Sequence, residues 1–435
     1  MKKVALSLAG VLAAATFAPE ASAVPAFARQ TGMACSACHA QHFPILNGFG
    51  RAFKAAGFTM MGSQEKVEGE NMSIPGALNF GVLIKARYQK SNGDASVSDG
   101  TDQNGAAVSG SSTNSGQWQI PDEYSLFWGG RVADTGTIKI GTMTEFDAGG
   151  GSGTLGLRIP VVVDMDSVKL SVIPFATDAL GPFYGYSESS TGVTRGIRWA
   201  EHRKEISAHQ YVGMGAGAAS GIAFVAHTDM GYLNISRWSP NLFYVAGRSG
   251  IQMSSTAVTL AATPTIGDFA VVAGVQFLTG DSYVDESSAT ECIDNAAPAC
   301  GVGSGTLGTT GAFTQVSTKA TGFDVQAHGE VAGMEAGFYG SYAKGNADAT
   351  SFYGDTKALA LGADFTVIPH TLSLGAAYRK GTNKTNQSDN AITLTAVYDL
   401  VQNVALHANF SKYSGDVYTG TKADQMFTGM LEAAW

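Results

Sequence analysis

The sequence predicts an all-β protein: an antiparallel transmembrane β-barrel of about sixteen strands, preceded by a short helical segment. Apolar and polar residues alternate with a period of two over many stretches after residue 75. The composition is also unusual, with 55 glycines in 435 residues and only 14% charged residues. A polar barrel lumen needs few formal charges, so these two features agree. An export signal at the N-terminus is the third observation.

Net charge and hydropathy exclude several other classes. The net charge is -9, and no basic stripe of the kind that binds nucleic acid is present. Hydrophobic residues make up 44% of the chain, too many for a disordered protein. No apolar run long enough for a spanning helix follows the N-terminus. A soluble β-sandwich remains as the alternative, although sandwiches rarely reach this length as one unit.

Residues 1–23 have the features of a secretory signal peptide. Lys2 and Lys3 precede the apolar run 4–18, and Ala21-Ser22-Ala23 is a small-x-small cleavage site. The run is short for a membrane anchor, which is the other interpretation. We therefore expect export, a mature chain beginning near Val24, and an oxidising compartment.

A haem-attachment motif follows at Cys35-Ser36-Ala37-Cys38-His39. One helical turn places both thiols on one side, where each can add to a haem vinyl group. His39 then presents its imidazole to the iron. A zinc site or a redox disulfide is the alternative. Zinc needs further ligands nearby, and a redox C-x-x-C needs no following histidine. The motif predicts one covalently bound c-type haem.

Residues 24–62 form the predicted cytochrome segment, and residues 63–75 form a polar linker to the barrel. Fewer than about 40 residues rarely fold alone, so we expect the barrel to supply the rest of the haem's cover. An extended linker residue spans at most about 3.6 Å, which keeps the segment close to the first strand. We therefore expect residues 25–62 to lie inside or against the barrel mouth.

This segment resembles the fused monohaem cytochrome–porin family, which contains outer-membrane ferrous-iron oxidases of iron-oxidising bacteria. The family pattern A-x-P-x-F-A-R-Q-T-G-x-x-C-x-x-C-H, then P-x-L-x-x-F-G-R-x-F-K, is present from Ala23 to Lys54 without a departure. Beyond it, the chain matches the family in type and length only. The resemblance implies a sixteen-stranded porin that the cytochrome plugs or lines.

Residues 76–435 show the strand pattern independently. Leu78–Tyr88 alternates over eleven residues, the length of a tilted membrane strand. Similar alternation begins at Leu359, Leu372, Ile392 and Val404, and the chain ends on alternating residues up to Trp435. Short turns such as 368–370 and 401–403 separate these strands. Sixteen strands would take roughly 22 residues each with their connections, and fourteen or eighteen would also fit.

Two predicted loops contain no Lys or Arg. They are residues 91–118 and the acidic stretch 280–300. Their carboxylates could hold ferrous iron weakly, but a solvated acidic loop is the preferred interpretation. Cys292 and Cys300 lie in the second loop. No histidine follows them, so we expect a loop disulfide.

His39 is the predicted proximal ligand, and Met60 or Met61 is the preferred distal ligand because methionine raises the haem potential. His42, a lumen histidine (His328 or His407), another group or an open site remain as alternatives. Arg29, Arg51 and Lys54 are candidates for contacts with the haem propionates or for plain surface roles. Structural roles are expected for a further set of side chains: Met33, His202, His209 and His227.

We expect an outer-membrane electron-transfer protein that oxidises extracellular ferrous iron at its haem and passes the electron to a soluble periplasmic cytochrome. Outer-membrane lipid is the other expected partner, and nucleic acid is not. Two alternatives remain open. One is an electron conduit for another donor or acceptor, and the other is a diffusion porin with a structural haem.

Overall fold

A computed structural model describes most of the chain, with gaps at the N-terminus and in several long connections. The signal sequence, the loop cysteines Cys292 and Cys300, and two histidines, His42 and His202, lie outside the described residues. Predictions that concern them stay predictions. The described residues are 25–40, 45–62, 64–70, 72–93, 114, 116–147, 154–188, 203–241, 252–285, 313–420 and 423–435.

The described residues form a closed antiparallel β-barrel, as the alternation predicts. Eighteen β-segments form the sixteen strands of the barrel wall. Two of these strands are each interrupted, one at Ile159-Pro160 and the other at Thr263-Pro264, and so consist of two segments. The last strand pairs with the first and closes the wall. The barrel segments are β3 (Phe80–Ser91), β4 (Gln117–Asp134), β5 (Ile138–Asp147), β6 (Thr154–Arg158), β7 (Val161–Asp164), β8 (Lys169–Thr177), β9 (Ala219–Thr228), β10 (Gly231–Ser239), β11 (Ser255–Ala262), β12 (Thr265–Ile266), β13 (Phe269–Thr279), β16 (Ala320–Val331), β17 (Met334–Gly345), β18 (Lys357–Ile368), β19 (Leu372–Thr382), β20 (Ser388–Val401), β21 (Val404–Ser414) and β22 (Gln425–Ala434).

Two small hairpins lie outside the wall. The linker forms one of them, β1 (Lys66–Gly69) paired with β2 (Met72–Pro75), where the sequence predicts only a polar connection. The other pairs β14 (Asp281–Asp285) with β15 (Phe313–Ser317) and extends the connection between β13 and β16.

The wall turns its apolar residues outward. Along β18, Leu361 is 50% exposed while its neighbour Ala360 is 1% exposed, and the same alternation runs along β20. Small and polar residues such as Thr393 therefore fill the inside. This inverted pattern is typical of a barrel surrounded by lipid. None of the helices within the described residues has the length and hydropathy of a membrane span.

One end of the barrel carries short turns, and the other carries the long connections. Pro369-His370 and Gln402-Asn403 join neighbouring strands directly, and both turns use a residue with positive φ (His370 at 54° and Asn403 at 70°). The long connection between β8 and β9, at the opposite end, enters the lumen. Its described parts are residues 178–188 and 203–218, which we call the inward segment.

The inward segment crosses to the far wall. It contains the helix α3 (Ala208–Val212), whose Ala208 backbone N–H donates to Ser341 Oγ on β17 at 3.0 Å. Tyr413 on β21 donates its hydroxyl to Glu205 Oε1 at 3.0 Å. Phe183, Tyr184 and Met214 are buried with lumen-facing alanines of the wall. A large part of the barrel's buried apolar side chains therefore lies inside the lumen.

The N-terminal segment also lies inside the barrel, as the linker argument predicts. We call residues 25–62 the plug. The plug contains α1 (Pro25–Thr31), a 3₁₀ turn (Cys35–Ala37) and α2 (Gly48–Ala55). Ile45 of the plug packs with Ile206 of the inward segment and with Tyr339 and Ala377 of the wall. Plug and inward segment thus meet in the lumen.

Candidate cofactor site

The C-x-x-C-H motif folds as one tight turn. Cys35 O accepts hydrogen bonds from the backbone N–H of Cys38 at 3.0 Å and of His39 at 2.9 Å. Both thiols are half-buried, and burial raises the pKa of the Cys38 thiol. The two cysteines and His39 all line one cavity. The turn therefore brings together the three groups that the motif predicts.

Asn47 fixes this turn against α2. Its amide Nδ2 donates to Ser36 O at 3.2 Å and to Ala37 O at 3.1 Å, while its Oδ1 accepts from Gly50 N at 2.9 Å as the helix N-cap. Gly50 lets the helix approach closely, because a Cβ there would lie 2.1 Å from Cys38 O. Any larger residue at position 50 would push the motif away from α2.

The cavity lies between the plug, the wall and the inward segment. Its empty volume is about 1510 Å³, part of which is open to solvent. Plug residues such as Phe27 and Leu46 form one side, and Leu83, Phe127 and Met143 of the wall form another. Leu180 and Tyr184 of the inward segment complete it. Three parts of the chain that are distant in sequence thus enclose one space.

Three aromatic rings of the plug pack beneath the cavity. Phe27 stacks on Phe58 with ring centroids 5.0 Å apart and meets Phe53 edge-on at 5.2 Å. All three also line the cavity. They form a water-excluding wall of the kind that covers an apolar macrocycle.

The plug is tied to the wall by one buried amide. Gln30 is 0% exposed, and its Nε2 donates to Phe58 O and Met60 O, both at 2.7 Å. Its Oε1 accepts from Asn79 Nδ2 and from the Arg131 backbone N–H, both at 3.1 Å. One side chain therefore joins both ends of the plug to the start of β3 and to β4.

Two glycines of the wall leave room for the plug. A Cβ on Gly141 would lie 1.8 Å from Gly57 O, and a Cβ on Gly130 would lie 2.1 Å from Gln30 Oε1. The first contact is with a backbone oxygen and the second with a hydrogen-bonded amide, so neither atom can move away without disrupting the plug. Glycine at these two positions of β4 and β5 therefore allows the plug to pack directly against the wall.

Charged side chains also line the cavity. Lys54 of α2 donates to Glu188 O at 2.5 Å, and Arg158 of β6 pairs with Glu188 Oε2 at 3.1 Å. Lys85 pairs with Glu123, so the first-strand lysine meets a wall carboxylate. Glu145, Asp178 and Arg203 are the remaining charged residues of the lining.

Of the three residues predicted to contact the haem propionates, one lines the cavity. Lys54 lines the cavity, but Arg29 and Arg51 are not among the described lining residues. Arg29 is exposed and donates to Phe80 O. Arg51 is buried and donates to Leu46 O at 2.8 Å. Arg87, which also stands on the first strand, pairs with Asp122 at 2.8 Å.

The predicted distal-ligand methionines are likewise not among the described lining residues of the cavity. Met60 and Met61 lie outside the lining as far as the structure describes it, whereas Met33 and Met143 belong to it. Met60 is 37% exposed, and its carbonyl is held by Gln30. The identity of the distal ligand stays a prediction.

The lumen histidines are engaged elsewhere. His328 Nε2 is 3.1 Å from Tyr339 OH, and His407 lies 3.7 Å from Glu432. His209 pairs with Gln276 at 2.9 Å, and Tyr186 pairs with His227 at the same distance. None of the four belongs to the described lining of the cavity. In the described part of the chain, no group of three or more His, Cys, Asp or Glu side chains is placed to hold a metal ion.

Sequence reasoning missed Gln30, Arg158 and Glu188 as site residues. Gln30 stands inside the family pattern, which gave it no role of its own. Arg158 carries a weak signal, since an arginine on a barrel strand is expected to face the lumen. Glu188 has none, because its position depends on the path of the inward segment.

The cavity fits a c-type haem. The thiols of Cys35 and Cys38 and the imidazole of His39 line the plug side of the cavity. Aromatic rings cover the adjoining side, and buried cations line the same cavity. Apolar cover with a few placed polar groups is the usual composition of a cofactor site. Cys35 and Cys38 would hold the macrocycle, and His39 would ligate its iron.

Solved outer-membrane proteins are similar to this chain at low sequence identity. The sequence matches no protein-family model and no curated protein. A loop L8 deletion mutant of OmpT from Vibrio cholerae is 13% identical, with a TM-score of 0.49 over 82% of this chain and 99% of that chain. The anion-selective porin from Comamonas acidovorans is 13% identical, with a TM-score of 0.47 over 82% and 99%. OmpF of Salmonella typhi, solved with daunomycin, is 10% identical, with a TM-score of 0.49 over 85% and 100%.

Proposed function

We propose that this protein is an outer-membrane electron-transfer protein that oxidises extracellular ferrous iron and passes the electron to a soluble periplasmic cytochrome. One observation carries the proposal: Cys35, Cys38 and His39 converge on a cavity enclosed by the plug, the wall and the inward segment. In enzyme terms this is a ferrous-iron:cytochrome oxidoreductase. The resemblance of the plug sequence to the cytochrome–porin family adds the donor.

Each part of the chain has a role in this proposal. Cys35 and Cys38 would hold a single haem through their thiols, and His39 would ligate its iron. The bound haem supplies one-electron redox chemistry. Phe27, Phe53 and Phe58 exclude water from one side, and low local polarity is one of the levers that set a haem potential.

The barrel supplies insulation and position. Its outward apolar face suits outer-membrane lipid, and its wall separates the cavity from that lipid. The plug lies against β4, β5 and β7, near the end of the barrel that carries the short turns. In barrels of this type the short turns face the periplasm, and this supports a periplasmic acceptor for the electron.

The first experiment asks whether a haem is attached. Mass spectrometry of the mature chain under denaturing conditions should show one added haem, and Cys35→Ser with Cys38→Ser should abolish it. The matched control is Cys292→Ser with Cys300→Ser, which removes two thiols but leaves the motif intact. A wild-type chain without bound haem contradicts the proposal.

The second experiment asks whether iron is the donor. Anaerobic mixing of purified, oxidised protein with ferrous salt should produce the reduced haem spectrum, and His39→Ala should remove this reduction. His370→Ala, in an exposed turn, is the control. A correctly loaded haem that stays oxidised in excess ferrous iron would favour a conduit for another donor.

A conductance measurement tests the diffusion-porin alternative. The plug and the inward segment occupy the lumen and meet at Ile45 and Ile206. We therefore expect little ion current through the wild-type protein in planar bilayers. Large, stable currents would favour a diffusion porin.

A further inference from the structure

Two buried cations from different parts of the chain face the candidate haem cavity. Lys54 belongs to the plug helix α2, and Arg158 belongs to strand β6 of the wall. Each is 4% exposed, and both line the cavity that holds Cys35, Cys38 and His39. Long cationic side chains are rarely buried to this degree without a partner of opposite charge.

Both cations contact Glu188, but through different groups of that residue. Arg158 Nη2 lies 3.1 Å from Glu188 Oε2, a direct ion pair. Lys54 instead reaches the backbone oxygen of Glu188 at 2.5 Å, and its ammonium lies 5.3 Å from the centre of the Tyr186 ring. Neither contact of Lys54 is with a carboxylate. Its positive charge is therefore less well compensated than that of Arg158.

The electrostatics of Lys54 agree with this geometry. Burial, with a smaller effect from the like charge of Arg158, lowers the pKa of Lys54 to about 7. Glu188 only partly opposes that shift. An anion placed in the cavity between Lys54 and Arg158 would restore the balance.

The other charged groups of the lining make contacts of their own. Lys85 and Glu123 pair with each other on β3 and β4. Glu145 stands on β5, and its near neighbour Ser125 Oγ lies 2.9 Å from Glu123 and 3.4 Å from Glu145. Asp178 and Arg203, in the inward segment, are also engaged in contacts. The contacts of Lys54 and Arg158 converge on Glu188 instead.

We propose that Arg158 and Lys54 bind the propionate carboxylates of the haem and that Glu188 positions Arg158 for this contact. The inference rests on the proposed haem and adds a binding role for Arg158 and a positioning role for Glu188. A guanidinium fork matches a carboxylate in two parallel hydrogen bonds. The Arg158 guanidinium also lies 4.0 Å from the centre of the Tyr184 ring, which holds its plane.

The test uses the full chain in detergent with its covalently attached haem. The midpoint potential is measured by redox titration with soluble mediators and no iron. A nearby cation disfavours the oxidised haem, so Arg158→Gln should lower the potential. Glu188→Gln removes a negative charge and should raise it. Arg158→Lys, which keeps the charge, should stay close to the wild type.

A spectroscopic readout separates contact from mere proximity. The propionate bending bands of the resonance Raman spectrum should shift in Arg158→Gln and also in Arg158→Lys, because lysine lacks the fork. Arg237→Gln is the control, since Arg237 bonds to Thr256 and the backbone of 253–254, away from the cavity. Its potential and bands should match the wild type.

Three results would overturn the inference. They are unchanged Raman bands in Arg158→Gln, a potential that matches the Arg237→Gln control, or shifts of the same sign in Arg158→Gln and Glu188→Gln. If Arg158→Gln fails to fold, Arg158→Lys and Glu188→Gln still decide. A haem that stays oxidised with ferrous iron but shows these shifts refutes the iron donor and leaves the propionate contact standing. A wild type without haem refutes both.

Discussion

The Gln30 amide gives a sharp test of how the plug is held. Gln30→Ala removes four hydrogen bonds from a site that is 0% exposed. Two of the bonds, to Asn79 and to the Arg131 backbone, join the plug to the barrel. Their loss leaves buried donors without partners, which costs about 1–3 kcal/mol each. For the two donors together, we expect plug docking to weaken by about 2–6 kcal/mol.

That loss should appear as protease sensitivity. Arg51 and Lys54 are buried while the plug is docked, so trypsin can cut after them only when the plug leaves the lumen. When docking is fast relative to cleavage, the cleavage rate follows the undocked population. A loss of about 2–6 kcal/mol corresponds to a roughly 30- to 20,000-fold faster cleavage. The rate is measured on detergent-folded protein by mass spectrometry of the fragments.

Gln387→Ala is the matched control. Gln387 is exposed and hydrogen-bonded within a turn of the far barrel end, to Asn383 and Thr385. Its removal should leave cleavage after Arg51 and Lys54 unchanged. If Gln30→Ala raises the rate less than about threefold over this control, the amide does not hold the plug. The aromatic packing of Phe27, Phe53 and Phe58 would then be the main attachment.

Three further outcomes follow from the same contacts. Gly141→Ala places a Cβ 1.8 Å from Gly57 O and should also release the plug to trypsin, whereas Gly429→Ala, whose nearest contact is 3.7 Å, should not. Phe58→Ala should cost about 3–5 kcal/mol of the plug's own stability and so speed trypsin cleavage, and Phe49→Ala, on a side chain 37% exposed, should cost much less. In the Cys35→Ser, Cys38→Ser protein, plug docking should strengthen as the pH rises above about 7 towards the usual lysine pKa of about 10.4, because the docked state then binds fewer protons at Lys54. Lys54→Met should remove that pH dependence in urea titrations of plug release, and an unchanged slope would refute the assignment.

Part of the candidate site could be predicted because its chemistry is local. Cys35, Cys38 and His39 are separated by so few residues that one turn places them together, whatever surrounds them. The barrel was predictable for a related reason. Side chains alternate across a strand, so Leu359 and Leu361 had to share a face opposite Ala360.

The sequence also placed the plug near the barrel mouth, because a short linker limits its reach. It could not give the contacts made there. The linker was expected only as a polar connection, yet it forms the β1–β2 hairpin. Arg51 and Lys54 stand three residues apart on α2, but only Lys54 lines the cavity. That distinction depends on how α2 is rotated against the wall.

By itself, then, the sequence determined the barrel with its inside and outside faces, and the three residues of the predicted haem attachment. Only the tertiary structure decided which side chains complete the cavity. Lys54 and Glu188 are 134 residues apart in sequence, and Gln30 and Arg131 are 101 apart. Such pairs form because the plug enters from one side and the inward segment folds back from the wall. Local pattern carries no information about either path, since both depend on packing between residues that the chain itself keeps far apart.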